Sequence, residues 1–281
     1  MAEPMHNPTC FANHMGLMAC EGRFLTRAVA AIRSGLWQPR AYNDGGDGYA
    51  APGRHPYQVM GDGVAVIRID GSMGKAAGKY VDASTVAARR AVRAAVADPA
   101  VGSILLVLDS PGGYVAGTAE LGDEVAAAGE QKPIVAFAED LCASAAYWVA
   151  SQADKVYANA AGFVGSIGAY GVVWDTSKQA EMNGVQVHLI STGPLKGAGA
   201  DGVPVTEEML AAWRAEVDAS FAMFAAAVKR GRSMSAAAFA KVSTGGMWQA
   251  SEAKDLGLID GVRSFDAVLA SMPKPRRAKT N

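Results

Sequence analysis

The chain has 281 residues, half of them hydrophobic and 19% charged, with 26 Lys and Arg against 27 Asp and Glu for a formal net charge of −1. That is too apolar for an intrinsically disordered chain and long enough to bury a core, and the neutral balance gives no argument for nucleic acid as a partner. Cys10, Cys20 and Cys142 are odd in number and widely spaced, so they suggest neither a disulfide framework nor a zinc site; a reducing, cytoplasmic setting fits them.

In chain order, the N-terminus MAEPMHNPTC lacks a basic stretch followed by an apolar one and is not a secretory signal. A helix is predicted over residues 21–36. The Gly-, Asp- and Pro-rich stretch RAYNDGGDGYAAPGRHP reads as a linker, which makes residues 1–56 an N-terminal arm and linker. Strands are predicted at Val64–Ile69, Ser103–Leu108, Ile134–Ala138 and Val185–Ile190. Helices are predicted at Asp82–Ala97, with Arg89, Arg90 and Arg93 on the wet side, and at Glu207–Arg230. In the latter Leu210, Trp213, Val217, Phe221, Phe224 and Val228 step by three or four, Thr206 is the candidate N-cap and Gly231 the stop. Alternating strands and helices predict an α/β fold with a largely parallel sheet over residues 57–272. Residues 273–281 form a basic tail, with Lys274, Arg276, Arg277 and Lys279, predicted to be disordered. The longest charge-free run, Val156 to Trp174, contains Asn159, Ser166 and four glycines, which suits a buried strand and loop rather than a membrane anchor.

Several motifs fail. GSMGKAAGK lacks the glycine spacing of a P-loop, and no GxSxG elbow exists. Ser72–Lys75 and Ser251–Lys254 match SxxK without its companion motifs. His6, His14 and His55 lie in the arm or linker, and His188 sits in a predicted apolar strand as a packed residue, so a Ser-His-Asp mechanism lacks a placed base. What remains are small-residue breaks at strand ends, where open parallel sheets bind ligands. DSPGG (109–113) is either an ordinary Pro-Gly turn or a place where backbone N–H groups aim at a ligand oxygen. Ser144, where strand gives way to helix, is either a cap or a nucleophile. Ser166 lies in VGSIGAYG. Lys196 follows a predicted strand, with no acid nearer than Asp201, and is either a solvated charge or an unpaired, desolvated amine.

These segments, in this order, resemble the signal peptide peptidase A family of serine–lysine peptidases, and in particular its soluble branch that includes head maturation proteases of tailed phages. The resemblance runs from Val64 to Val262 and takes in MWQASEAKDLGLIDGV. It implies a ClpP/crotonase-like spiral of ββα units, assembled into rings or domes, acting on protein or peptide substrates without metal or cofactor. Carried over by position, Ser144 is the nucleophile, Lys196 (52 residues on) its general base, and Ser166 (22 residues on) orients the amine. The oxyanion hole is implied to be N–H groups of Gly112 or Gly113 together with Ala145. The chain departs from the family in having Ala145 and Ala146 where relatives commonly carry glycines, in a looser lysine loop, GPLKGAGADG, and in lacking a membrane anchor. The last favours capsid or scaffold proteins over signal peptides as substrates.

A lysine titrates ordinarily near 10.4, so at pH 7 only about one in 2,500 is neutral. Burial lowers such a group by up to about 3–5 units, so a lysine base has to be covered, by substrate or by a neighbouring subunit. Two other readings stay open: a crotonase-type acyl-CoA enzyme using Glu120, Asp123 or Glu124, and a non-catalytic subunit kept for assembly.

Overall fold

The computed structural model describes residues 18–20, 56–60, 63–78 and 81–274. The helix predicted over residues 21–36, most of the linker, and Arg276, Arg277 and Lys279 of the tail lie outside the described residues.

One pattern occurs twice along the chain, a long strand, one or two short ones, then a helix, and a third unit goes straight from long strand to helix. A leading strand, β1 (Met18–Cys20), and β2 (Gln58–Met60) precede it. The first unit is β3 (Val64–Asp70), β4 (Met73–Gly74), β5 (Ala83–Ser84) and α1 (Thr85–Ala97). The second is β6 (Ser103–Ser110), β7 (Gly112–Tyr114) and α2 (Thr118–Gly129). The third is β8 (Ile134–Ala143) leading into α3 (Ala145–Ala150). The long strands run parallel in the order β3-β6-β8, with β2 antiparallel at the edge of β3; the short ones make a second sheet, β1-β7-β4-β5. The expected α/β spiral of ββα units is therefore present. After β9 (Lys155–Ala158) and β10 (Phe163–Gly165), the chain continues through α4 (Ser177–Met182), the long α5 (Glu207–Gly231), α6 (Ala236–Val242), β11 (Met247–Gln249), α7 (Ala250–Asp255), β12 (Gly261–Val262) and α8 (Phe265–Ser271).

SILLVL is apolar throughout because β6 is covered on both faces. Ile104, Leu106 and Leu108 pack with Ile67, Ile69, Val92, Leu121 and Tyr147 on one side. Leu105 and Val107 pack with Val64, Val66, Phe137 and Val268 on the other. Each such side chain, fully removed from water, contributes about 1.5–3 kcal/mol. α1 begins later than predicted. Ser84 Oγ accepts the Ala87 N–H at 3.1 Å, while the Asp82 carboxylate is engaged with the N–H and hydroxyl of Ser72 at 2.9 and 2.8 Å.

β8 serves two neighbours in turn. Val135–Ala138 pair with β9, and Leu141–Ala143 pair with β10. The Asn159 side chain spans the fork, bonding Asp140 Oδ1 at 3.2 Å and the Glu139 carbonyl. The second half of β8 aims the chain at Ser144. Behind it, Trp148 of α3 stacks on Phe224 of α5 with ring centroids 4.8 Å apart. Gly231 approaches so closely that a Cβ there would lie 2.0 Å from the Ser151 carbonyl oxygen.

One expected strand is absent. Val185–Ile190 has no strand partner among the described residues and lies open, with Val185 53% and Ile190 96% exposed; His188 in its middle is exposed, not packed. Alternating β-branched residues suit a strand, but without a neighbour to take its N–H and C=O groups no ladder forms. In α5 Thr206 caps as expected, accepting the Met209 N–H at 3.3 Å. Its apolar stripe is buried only toward the C-terminal end: Phe224 and Val228 are in the core, whereas Leu210, Trp213, Val217 and Phe221 are half-buried.

Candidate active site

Ser144 sits between the last residue of β8 and the first of α3, with φ 56° and ψ −117°. A non-glycine residue held there carries about 1–3 kcal/mol of strain that the surroundings must maintain. They do so through its backbone: its N–H donates to the Gly165 carbonyl and its carbonyl accepts the Trp148 N–H, each at 2.8 Å. The side chain is fully buried, makes no capping bond to α3, and its Oγ has no hydrogen-bond partner. An orphaned buried hydroxyl costs about 1–3 kcal/mol. A capping serine would not look like this.

Parallel register brings the other small-residue breaks to the same place. Ala143 pairs with Gly165, so Ser144 and Ser166 directly follow paired residues at the ends of neighbouring strands. Ser166 is buried, has φ 53°, and donates its N–H to the Gly246 carbonyl at 2.6 Å. On the other side Ser110 pairs with Cys142, which sets the DSPGG turn beside Ser144. Both turn glycines are required. Gly112 has φ 92°, and a Cβ on Gly113 would lie 2.0 Å from the Met73 carbonyl oxygen where β7 meets β4. Ala145 is fully buried at the start of α3, where backbone N–H groups lack helical partners.

Ser110 was not singled out in the sequence, yet it holds the turn. Its hydroxyl donates to the Gly71 carbonyl at 2.6 Å and its Oγ accepts the Gly112 N–H at 3.1 Å. The Gly112 N–H is therefore already engaged within the turn. Asp109 beside it accepts the Leu141 N–H at 3.2 Å. Burial raises its carboxyl above the usual range, with Asp140, Asp70 and Glu139 adding to the effect against the Leu141 bond. The only signal for either residue was membership of DSPGG. Cys142, two residues before Ser144, is free and fully buried, and burial pushes its thiol up, away from thiolate reactivity.

Lys196 is not brought to this cluster by contact with Ser144, whose Oγ is unpartnered; it lies exposed in a loop between α4 and α5. Glu120, Asp123 and Glu124 form the polar face of α2, with Asp123 reaching Arg230 at 3.3 Å and Glu124 reaching Arg93 at 2.6 Å. Among the described residues, no cluster of His, Cys, Asp and Glu could hold a metal, and no helix is long and apolar enough to cross a membrane.

A profile of Peptidase family S49 matches residues 126–279, more than half of the chain. The chain belongs to peptidase family S49. The matched span of this S49 chain carries Ser144, Ser166 and Lys196. It is 28% identical over 224 residues to Protease 4 of Salmonella typhi, covering 78% of this chain and 35% of that protein. It is 30% identical over 217 residues to Capsid assembly protease C of Escherichia phage lambda, covering 75% of this chain and 49% of that protein. The chain thus spans only a third to a half of the length of these relatives. Among solved structures, the ClpP protease catalytic domain from Plasmodium falciparum is similar at 14% identity and a TM-score of 0.43, covering 75% of this chain and 88% of that one.

Proposed function

We propose that this S49 chain is a serine endopeptidase in which Ser144 attacks the scissile carbonyl and Lys196 is the general base. The observation that carries the reading is the Ser144 hydroxyl: buried, unpartnered and held at positive φ between two small-residue turns. In this mechanism the neutral amine of Lys196 takes the Oγ proton, and the Ser166 hydroxyl orients that amine. The tetrahedral oxyanion is received by backbone N–H groups of Gly113 and Ala145; Gly112 joins only if it releases Ser110. The amine then protonates the leaving nitrogen, and water resolves the acyl-enzyme. No metal or cofactor takes part.

Lys196 has to be covered for this to work, and the surface around it is built to be covered. Val172, Trp174, Val185, Leu189, Ile190 and Leu195 are exposed large hydrophobics on the same stretch of chain. A cleft of about 570 Å³ runs beside it, between Tyr170, Val172, Leu210, Trp213 and Val217. A homo-oligomeric ring or dome buries this face and desolvates the lysine. The name of the phage relative supports capsid or scaffold proteins as substrates, and the three widely spaced cysteines support a reducing compartment.

The test is digestion of unfolded casein by wild type, Ser144→Ala and Lys196→Ala, with a fluorophosphonate probe added to each. Digestion and labelling by wild type, with Ser144→Ala showing neither, is the expected result; a labelled Ser144→Ala removes Ser144 from the mechanism. One observation, the exposed Lys196, favours a second reading, a non-catalytic assembly subunit. That reading requires a folded wild type that is neither labelled nor active.

A further inference from the structure

We infer that the chain carries its own first substrate: β1 lies in the track that an extended peptide takes past Ser144, and the bond following Cys20 is cut in cis. This rests on Ser144 being the nucleophile.

β7 is the short strand leaving the DSPGG turn, and α3, which begins next to Ser144, packs against it. One edge of β7 is paired to β4. The other is covered by β1, which reaches it from far away in sequence and has no other strand neighbour in its sheet. Without β1 that edge is an open template beside the nucleophile, the arrangement by which proteins take up extended peptides. The direction of pairing decides which bond is presented. β1 is antiparallel, with Met18 opposite Tyr114, Ala19 opposite Gly113 and Cys20 opposite Gly112. The arm therefore runs toward the turn as it goes from Met18 to Cys20. Cys20 is the last residue of the arm in register with β7, opposite Gly112 in the turn beside Ser144, and its carbonyl oxygen is received there once the Gly112 N–H leaves Ser110.

The step balances without a further reactant except water. Ser144 Oγ bonds to the Cys20 carbonyl carbon as its proton passes to the base. The C–N bond to Glu21 breaks, and the base returns that proton to the departing nitrogen, which becomes the new N-terminus. Water then cleaves the ester, giving a Cys20 carboxylate and free Ser144. Until that cut, β1 competes with other peptides for β7.

The experiment follows full-length wild type, Ser144→Ala and Ala19→Pro by intact mass, N-terminal sequencing and initial casein rate. Wild type is expected to lose residues 1–20 and start at Glu21, in a first-order process independent of protein concentration. Ser144→Ala keeps its N-terminus. Ala19→Pro, which removes a strand N–H and fixes φ, stays uncut, and its initial casein rate rises about tenfold over uncut wild type, the factor for an arm that occupies the track nine-tenths of the time. Wild type that digests casein but keeps residues 1–20, or is trimmed at another bond, overturns the inference and leaves the Ser144 reading intact. Trimming that rises with protein concentration, or that occurs equally in Ser144→Ala, overturns it too. Wild type that neither digests casein, takes the serine probe nor trims itself overturns both.

Discussion

The two halves of the proposed dyad sit in contrasting surroundings. Around Ser144 every neighbour is in place: Cys142, Ala143, Ala145, Ala146 and Tyr147 are fully buried, and strands flank it on both sides. Around Lys196, from residue 171 to 201, the chain has one short helix and a row of exposed apolar side chains. The nucleophile half is finished by this chain's own sheet, whereas the base half has its cover missing. On the proposed mechanism, a single folded chain holds a strained hydroxyl ready, and turnover waits on whatever closes over Lys196.

Substitutions at the two residues bear on that contrast most strongly. Ser144→Ala is expected to lower turnover by at least about 10³-fold while raising the thermal midpoint by a few degrees, because a buried hydroxyl without a partner is removed and no side-chain bond is lost; a drop in midpoint would make the serine structural. Lys196→Ala should cost about 10²–10⁴-fold, the range for a general base, without change in midpoint, since the side chain is exposed. If the missing cover is a second subunit that supplies the lysine, mixing Ser144→Ala with Lys196→Ala restores part of the activity. No recovery on mixing means each lysine serves its own chain.

Away from the site, effects are on stability alone. Arg232, only 9% exposed, bonds Asp260 at 2.8 Å, and Asp260 also takes Lys155 at 3.0 Å and the Val156 N–H at 2.9 Å. Among the described residues, Asp260→Ala leaves that guanidinium with only the Gly257 carbonyl, at 3.3 Å, and should cost about 2–3 kcal/mol in urea unfolding, short of the loss for a fully buried pair. Burial alone would raise the Asp260 carboxyl, but these partners outweigh it and hold it below the usual range. A carboxyl lower in the folded than the unfolded state contributes its stability above pH ~4 and loses it as pH falls through the folded value. The wild type should therefore weaken in acid more steeply than Asp260→Ala. Smallest of all, Thr206→Ala should cost about 1 kcal/mol through its lost cap, and it falls at the uncovered end of α5, where a larger loss would reveal packing that the single chain lacks.

The same contrast separates what could be read in the sequence from what could not. SILLVL and IVAFA announced buried parallel strands because their neighbours come from the same chain. Ser144 and Ser166 were legible as small-residue breaks, although only the fold could place them at the ends of neighbouring strands or show that Ser144 caps nothing. VQVHLI has an equally good strand pattern and forms none: periodicity reports what a segment can pair with, not whether a partner is present. Strands of two or three residues, such as β4 and β7, are too short to carry a period. Ser110, whose hydroxyl makes two bonds to backbone around the turn, left no pattern beyond the motif containing it.

The close approach of Gly231 to Ser151 has a geometrical consequence. α3 has only six residues, a rod about 9 Å long at 1.5 Å per residue. One end is Ser144, and the other abuts a backbone that leaves no space for a methyl group. α5 continues from that contact for six further turns into its uncovered half. A single unbroken helix thus runs from the half-buried Trp213 to a backbone contact at the far end of the short helix that Ser144 begins.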